Sequence, residues 1–128
     1  MRQIKFRGKD SNGNWHYGDL EHSPIGKFCR IHEYRENGFY KWHADVDPAT
    51  IGQFTGLFDE DGRKIYEGDI VRSDLITPHE VFYDENTAKF MLRNEIQSQW
   101  VVAIGELAGL EVIGNVYDSP GLLKGGEK

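Results

Sequence analysis

The chain has 128 residues, of which 38% are hydrophobic and 12% aromatic, and its 15 basic and 21 acidic residues leave a net charge of -6. A chain of this size is expected to enclose one hydrophobic core, as a single domain over residues 1–128. Its mean hydropathy of -0.60 excludes a membrane span and predicts a soluble protein. The acidic balance opposes non-specific attraction to nucleic-acid phosphate, and neither half of the chain is basic when it is divided at Gly62.

The start of the chain and its cysteine content predict a compartment. Residues 1–5 lack the apolar stretch of a signal peptide, and Cys29 has no second cysteine with which to form an internal disulfide. We therefore expect a reducing cytoplasm.

Basic residues alternate with apolar ones along the first predicted strand. Lys5, Arg7 and Lys9 share one face, and Ile4 and Phe6 share the other. Such a row of cations is a candidate contact for the phosphates of a nucleic acid. The same alternation is typical of a half-buried strand whose basic side chains are solvated, and this second interpretation is favoured.

Dipeptides that favour tight turns divide the chain into short strands. Asn12-Gly13, Asn37-Gly38 and Asp61-Gly62 readily take the positive φ angles of type I′ turns, so they predict three hairpins. Residues 84–87 predict a fourth turn. The resulting pattern of roughly ten short strands is typical of a sandwich or barrel and predicts an all-β fold.

An aromatic segment follows the second of these turns. Phe39, Tyr40 and Trp42, interleaved with Lys41 and His43, could stack the bases of a single-stranded nucleic acid. They could instead belong to the core, because Tyr40 and Trp42 alternate with polar residues as inward-facing side chains do. The second interpretation is favoured.

A proline and two aspartates interrupt the apolar pattern within residues 44–48. They predict two lobes of the domain, residues 2–44 and residues 63–118, with residues 45–62 as the bridge. Residues 124–128 have nothing to bury and are expected to fray.

No segment carries a recognised catalytic signature. The chain lacks a phosphate-binding glycine loop, a nucleophile elbow and a two-histidine helix motif. The carboxylates in residues 59–61 and 67–69 could serve acid–base chemistry or a divalent metal, but aspartates beside turn glycines more often accept hydrogen bonds from the backbone. We therefore predict no catalytic residue and no cofactor.

The histidines do not predict a metal site either. None of the spacings among them repeats a known set of metal ligands. They are His16, His22, His32, His43 and His79. We expect these side chains to be exposed or hydrogen-bonded on strands.

Short apolar segments with glycines at sharp turns are the most specific feature of the chain. They span residues 50–57, 65–71 and 113–118. The residues expected to define this scaffold are Gly52, Gln53, Phe54, Thr55, Gly56, Tyr66, Glu67, Gly68, Asp69, Gly114 and Asn115. Read together with residues 4–8 and 17–20, these segments resemble the YopX family of small phage and prophage proteins.

The resemblance implies a YopX-like pseudobarrel of two β-sheets with partial similarity to an SH3-like barrel. It also implies a phage-encoded protein that acts in the cytoplasm of a bacterium, without an established activity. We therefore expect a non-catalytic accessory module that binds a host or phage protein, or forms a homo-oligomer, through an exposed sheet face or edge.

The sequence is also compatible with two other functions. The first is a nucleic-acid-binding module that uses Lys5, Arg7 and Lys9. The second is an enzyme or metal-dependent activity that uses the carboxylates between Asp59 and Asp69.

Overall fold

A computed structural model describes residues 2–26, 28–34, 41–96 and 99–124. The predicted all-β fold is confirmed, because these residues form eleven strands and three short 3-10 helices. The strands are β1 (Phe6–Lys9), β2 (Trp15–His22), β3 (Cys29–Tyr34), β4 (Lys41–Val46), β5 (Gly52–Phe58), β6 (Lys64–Tyr66), β7 (Asp69–Arg72), β8 (His79–Asp84), β9 (Lys89–Asn94), β10 (Gln99–Ala103) and β11 (Glu111–Asn115). The 3-10 helices are Pro48–Thr50, Ile104–Glu106 and Pro120–Lys124.

The strands form two antiparallel sheets, as predicted. One has the order β4-β3-β2-β1-β5-β6 and the other the order β10-β9-β8-β7-β11. Neither sheet is closed into a barrel by the strands described. The similarity to an SH3-like barrel stays a prediction. None of the described helices has the length and apolar character needed to span a bilayer.

The chain divides into two compact units, Met1–Phe54 and Thr55–Lys128. The boundary lies within β5, inside residues 45–62 that were expected to bridge two lobes. Each unit has a core of its own. The first is built on Cys29, Ile31 and Val46, and the second on Ile65, Val71, Val81, Leu92, Ile104 and Leu110.

Three of the four predicted turns lie in the described residues, and all three occur. The type I′ geometry predicted for the first two is wrong, because it needs a positive φ at both central residues and neither Asn12 nor Asp61 has one. Gly13 and Gly62 both have a φ of 86°. The β8–β9 hairpin closes with Asp84 opposite Lys89, and Ala88 takes the positive φ of 57° in its loop. Asn37-Gly38 lies outside the described residues, as do residues 125–128 of the tail predicted to fray.

A glycine allows β2 and β3 to approach each other closely in the first unit. A Cβ atom built at Gly18 would collide with the backbone carbonyl oxygen of His32. Because a backbone atom cannot give way as a flexible side chain can, this position of β2 accepts only glycine.

Candidate functional site at the β4 edge

The β4 strand lies at one edge of the six-stranded sheet. Its neighbour is β3, with a continuous register that runs from Cys29 opposite Val46 to Tyr34 opposite Lys41. The strand ends where the Asp47 N–H donates to the Lys9 carbonyl oxygen at 2.8 Å and the chain turns into Pro48–Thr50. No other described strand pairs with β4, so the outward N–H and C=O groups of this strand are available to an added strand.

The other edges of the two sheets are less suited to accept a strand. β6 has three residues. The pairings of β10 and β11 shift register between Val101 and Ala103 and between Val112 and Gly114. Short edge strands and bulges are the devices by which proteins prevent unwanted strand addition. Among the described edges, β4 is therefore the longest and the most regular.

Trp42 of β4 is 49% exposed. Its indole N–H donates to Glu33 Oε1 at 2.5 Å, and the Tyr17 backbone N–H donates to Glu33 Oε2 at 3.3 Å. The prediction that Trp42 belongs to the core is wrong, whereas Phe39 and Tyr40, for which the same was predicted, lie outside the described residues. Strand alternation does place it on the same face as Val46, but that end of the face carries the polar side chains of Glu33 and His16, so the indole is not enclosed.

His16 connects Glu33 to the turn after β1. Its Nδ1 lies 3.2 Å from Glu33 Oε1, and its Nε2 lies 2.7 Å from Asp10 Oδ2. Ionised carboxylates only accept hydrogen bonds, so both ring nitrogens must donate for both bonds to form. The geometry therefore favours the imidazolium form of His16 between two carboxylates. We call Asp10, His16, Glu33 and Trp42 the Trp42 cluster.

The pKa shifts within the Trp42 cluster agree with this assignment. Burial lowers the pKa of His16, but the hydrogen bonds and negative charges of Asp10 and Glu33 outweigh burial and raise it above 6.5. The hydrogen bond from His16 and the backbone N–H of Asn14 lower the pKa of Asp10. Burial raises the pKa of Glu33, but the hydrogen bonds from Trp42 and His16 lower it by more, so the net shift is downward.

Asp10 is itself held by the β1–β2 turn. Its Oδ1 accepts the backbone N–H groups of Asn12 and Asn14, each at 2.9 Å. An aspartate at the start of a tight turn commonly makes such bonds. A continuous series of hydrogen bonds thus runs from this turn through His16 and Glu33 to the exposed indole, and it limits the orientations of that indole.

The opposite face of β4 is polar. The Arg30 Nε lies 2.7 Å from Asp45 Oδ1, and the Asp45 side chain remains 68% exposed. The rings of His32 and His43 lie 5.4 Å apart, and His32 Nε2 lies 2.6 Å from Glu21 Oε1. His43 and Asp45 are both exposed on this face.

A groove of about 600 Å³ opens beside the end of β4, within the first unit. Most of its lining is apolar, contributed by Leu20, Phe28, Cys29, Val46, Pro48 and Ile51. Its rim carries polar groups, including His22 and Asp45. A groove with an apolar floor and a few polar rim groups suits one large apolar side chain.

Comparison with known proteins places the chain in a family. A family model described as "YopX protein" matches residues 5–124, which cover both units and the whole of β4. The chain belongs to the YopX family. No curated protein is significantly similar to this YopX family member.

The predicted nucleic-acid stripe is not a row of three exposed cations. Arg7 is 5% exposed, and its guanidinium carbon lies 4.7 Å from the ring centre of Trp15. The Lys9 ammonium lies 5.7 Å from the same ring, and Lys5 is half-buried. A buried guanidinium that stacks on an indole has the role of a packing residue. Nucleic-acid contact through this stripe stays a prediction.

Asp59 and Asp69 hold turns together in this YopX family member. Asp59 Oδ1 accepts the N–H groups of Asp61 at 2.9 Å and Arg63 at 2.8 Å, and its Oδ2 accepts the N–H of Val112 at 3.0 Å. Asp69 Oδ2 accepts the N–H of Tyr66 at 2.8 Å. The interpretation of these aspartates as turn caps is confirmed for both residues.

The pKa of Asp59 reflects this role. Burial raises it, but the three backbone N–H groups outweigh burial and leave it below 3.8. Across the described residues, no group of three His, Cys, Asp or Glu side chains is arranged to hold a metal ion. His16, His32 and His79 are hydrogen-bonded on strands, as the histidine prediction expected.

The scaffold residues of the YopX resemblance lie on strands and in one turn. Gly52, Gln53, Phe54, Thr55 and Gly56 are in β5, Tyr66 in β6, Asp69 in β7, and Gly114 and Asn115 in β11, while Glu67 and Gly68 form the turn between β6 and β7. These residues therefore belong to the strands and the turn that form the scaffold. The Trp42 cluster was not predicted as a site, because its members are far apart in the sequence.

Proposed function

We propose that this YopX family member is a non-catalytic binding module that takes up an extended protein segment at the β4 edge. As the family resemblance implies, it would be a phage or prophage accessory protein that works in the bacterial cytoplasm. The added segment pairs with the outward N–H and C=O groups of β4.

One observation carries the proposal: the most regular of the described sheet edges also presents a half-exposed tryptophan whose indole N–H is hydrogen-bonded to Glu33. In strand addition, main-chain hydrogen bonds supply affinity, and pockets for alternate side chains supply specificity. Tryptophan is enriched among the residues that dominate binding energy. Because the Trp42 cluster already restricts the indole, a partner that packs against it loses less side-chain entropy on binding.

The groove beside β4 supports the same proposal. Its lining includes Val46, which strand alternation places on the same face of β4 as Trp42, and it can receive one large side chain of the added segment. The polar pair of Arg30 and Asp45 and the exposed His43 on the opposite face leave rim groups for hydrogen bonds. An apolar centre with a polar rim is the usual anatomy of a protein interface.

The proposal predicts that proteins co-purified from cells depend on Trp42. Tagged protein is expressed in prophage-carrying or phage-infected bacteria, and co-purified proteins are quantified for the wild type and for Trp42→Ala. We expect loss of the indole to reduce the specific partners by about tenfold or more, as at other interface positions dominated by tryptophan.

Tyr83→Ala is the matched control. Tyr83 is an aromatic residue of β8 that is 41% exposed, in the other unit of the chain. This variant should keep the partners of the wild type. Identical partners for the wild type and both variants, or a parallel loss from both variants, would contradict a binding site at β4.

A further inference from the structure

The occupant of the β4 edge follows from the side chains along it, if the proposed function holds. We propose that this occupant is the β4 strand of a second copy of the chain. The two strands pair antiparallel about a two-fold axis at Ala44, and the Trp42 of each copy is seated in the β4 groove of its partner.

The geometry of a β-sheet restricts the register of such a pair. Opposed residues of an antiparallel pair lie on the same face, and side chains alternate between faces. A two-fold axis between two residues would oppose side chains of different faces, so the axis must pass through a residue. His43 and Ala44 are the residues nearest the centre of Lys41–Val46.

An axis at Ala44 makes the polar face self-complementary. His43 of each copy is then opposite the partner's Asp45, so two imidazole–carboxylate pairs form. Both side chains are exposed, and the bond from Arg30 uses Oδ1 of Asp45 at 2.7 Å. An imidazole N–H can donate to the carboxylate, and complementary side chains at directly opposed positions stabilise a strand pair. At the axis itself two alanine methyl groups meet, without charge or bulk.

The same axis fits the apolar face. Trp42 of each copy is opposite the partner's Val46, which lines the groove of about 600 Å³. The exposed indole therefore meets the apolar groove, and this occurs twice in the dimer. An aromatic residue opposite a β-branched one is a favourable pair across strands.

An axis at His43 has neither feature. It would oppose His43 to the partner's His43, and it would oppose Trp42 to Ala44 rather than to a residue of the groove. Two imidazoles at one position repel each other when they are protonated. The charges and the groove thus select the axis at Ala44.

Cysteine crosslinking tests the register directly. Ala44→Cys places two thiols at opposed positions, where Cα atoms about 4.5–5.5 Å apart suit a disulfide. His43→Cys is the control, because the proposed register puts its two Cα atoms about 8 Å apart, beyond disulfide reach. The native Cys29 is buried, and the wild type oxidised in parallel measures any background reaction of this thiol.

We expect mild oxidation to convert most of the Ala44→Cys protein to a covalent dimer on a non-reducing gel, at least about tenfold faster than the His43→Cys protein. Equal or faster crosslinking of His43→Cys would overturn the register.

Light scattering after size exclusion should give the unmodified chain a mass of twice 14.7 kDa at micromolar concentration. His43→Asp, which opposes two carboxylates, should weaken this dimer about tenfold.

These results separate the second copy from other partners. A monomer at every concentration, together with partners from cells that are lost in Trp42→Ala, would overturn self-pairing and leave the binding module in place. A dimer whose mass is unchanged by His43→Asp and Trp42→Ala, with both variants folded, would place the interface elsewhere and overturn the inference.

Discussion

At the scale of single residues, His16 shows how one side chain joins three strands and a turn. It belongs to β2, and its two nitrogens contact Asp10 of the β1–β2 turn and Glu33 of β3, which holds Trp42 of β4. The imidazolium form satisfies both carboxylates at once. His16 therefore contacts the same carboxylate that accepts the indole N–H of Trp42, although the two residues are distant in the sequence.

Stability should depend on His16 in a pH-specific way. The pKa of His16 is raised above 6.5, so its contribution is present below that pH and is lost as the pH rises through the folded-state pKa. The pKa values of Asp10 and Glu33 are lowered, so their contributions are lost only in acid. We expect His16→Gln to lower the melting temperature by about 3–6 °C at about pH 5.5, and by less at about pH 8.5.

Thermal melts at the two pH values measure this difference. His22→Gln is the control, because His22 is an exposed histidine of the same strand. Its effect should be small at both pH values. A destabilisation by His16→Gln that is equal or greater at the higher pH would show that His16 does not act as an imidazolium.

At the scale of elements, the turn between β6 and β7 ties three parts of the second unit together. The Gly68 N–H donates to the Val81 carbonyl oxygen at 2.8 Å, and the Gly68 carbonyl oxygen accepts the Val116 N–H at 2.9 Å. Gly68 has a φ of 95°, and Asp69 caps the turn through the Tyr66 N–H. The positive φ agrees with the glycine expected at this place.

Gly68→Val should destabilise the protein by about 1–3 kcal/mol, because a β-branched residue is strained at a positive φ. Chemical denaturation measures the change in the free energy of unfolding. Gly121→Val is the control, since a Cβ atom at Gly121 meets nothing within 4 Å. Equal stability of the wild type and Gly68→Val would mean that the turn does not require glycine.

At the scale of the whole molecule, the net charge of -6 is not offset by an exposed basic stripe. Arg7 is buried against Trp15, which leaves Lys5 and Lys9 as the accessible members of the predicted set. Two phosphate contacts supply weak binding that is strongly reduced by salt.

Fluorescence anisotropy with single- and double-stranded oligonucleotides at about 150 mM salt should therefore show no saturation below tens of micromolar protein. The informative variant is Lys5→Glu with Lys9→Glu, which leaves the buried Arg7 intact. Submicromolar binding by the wild type would contradict this expectation. If the double variant lost that binding but kept the melting temperature of the wild type, the first strand would be the functional site.

Local patterns in the sequence were enough to predict the all-β fold, the turns at Gly13, Gly62 and Gly68, and the YopX family. Turns and strands depend on residues close in the chain, so glycines, aspartates and alternating apolar residues report them directly. The capping roles of Asp59 and Asp69 were predicted for the same reason. The charge of the whole chain was likewise readable without a structure.

The tertiary structure alone decided which side chains meet. Asp10, His16, Glu33 and Trp42 become one cluster because β2, β3 and β4 pair in a particular register, and register depends on long-range packing that no local pattern encodes. The same pairing left Trp42 exposed and made β4 an edge, while packing against Trp15 buried Arg7. Alternation in the sequence identifies the face on which a side chain lies, but burial depends on what the rest of the fold brings to that face.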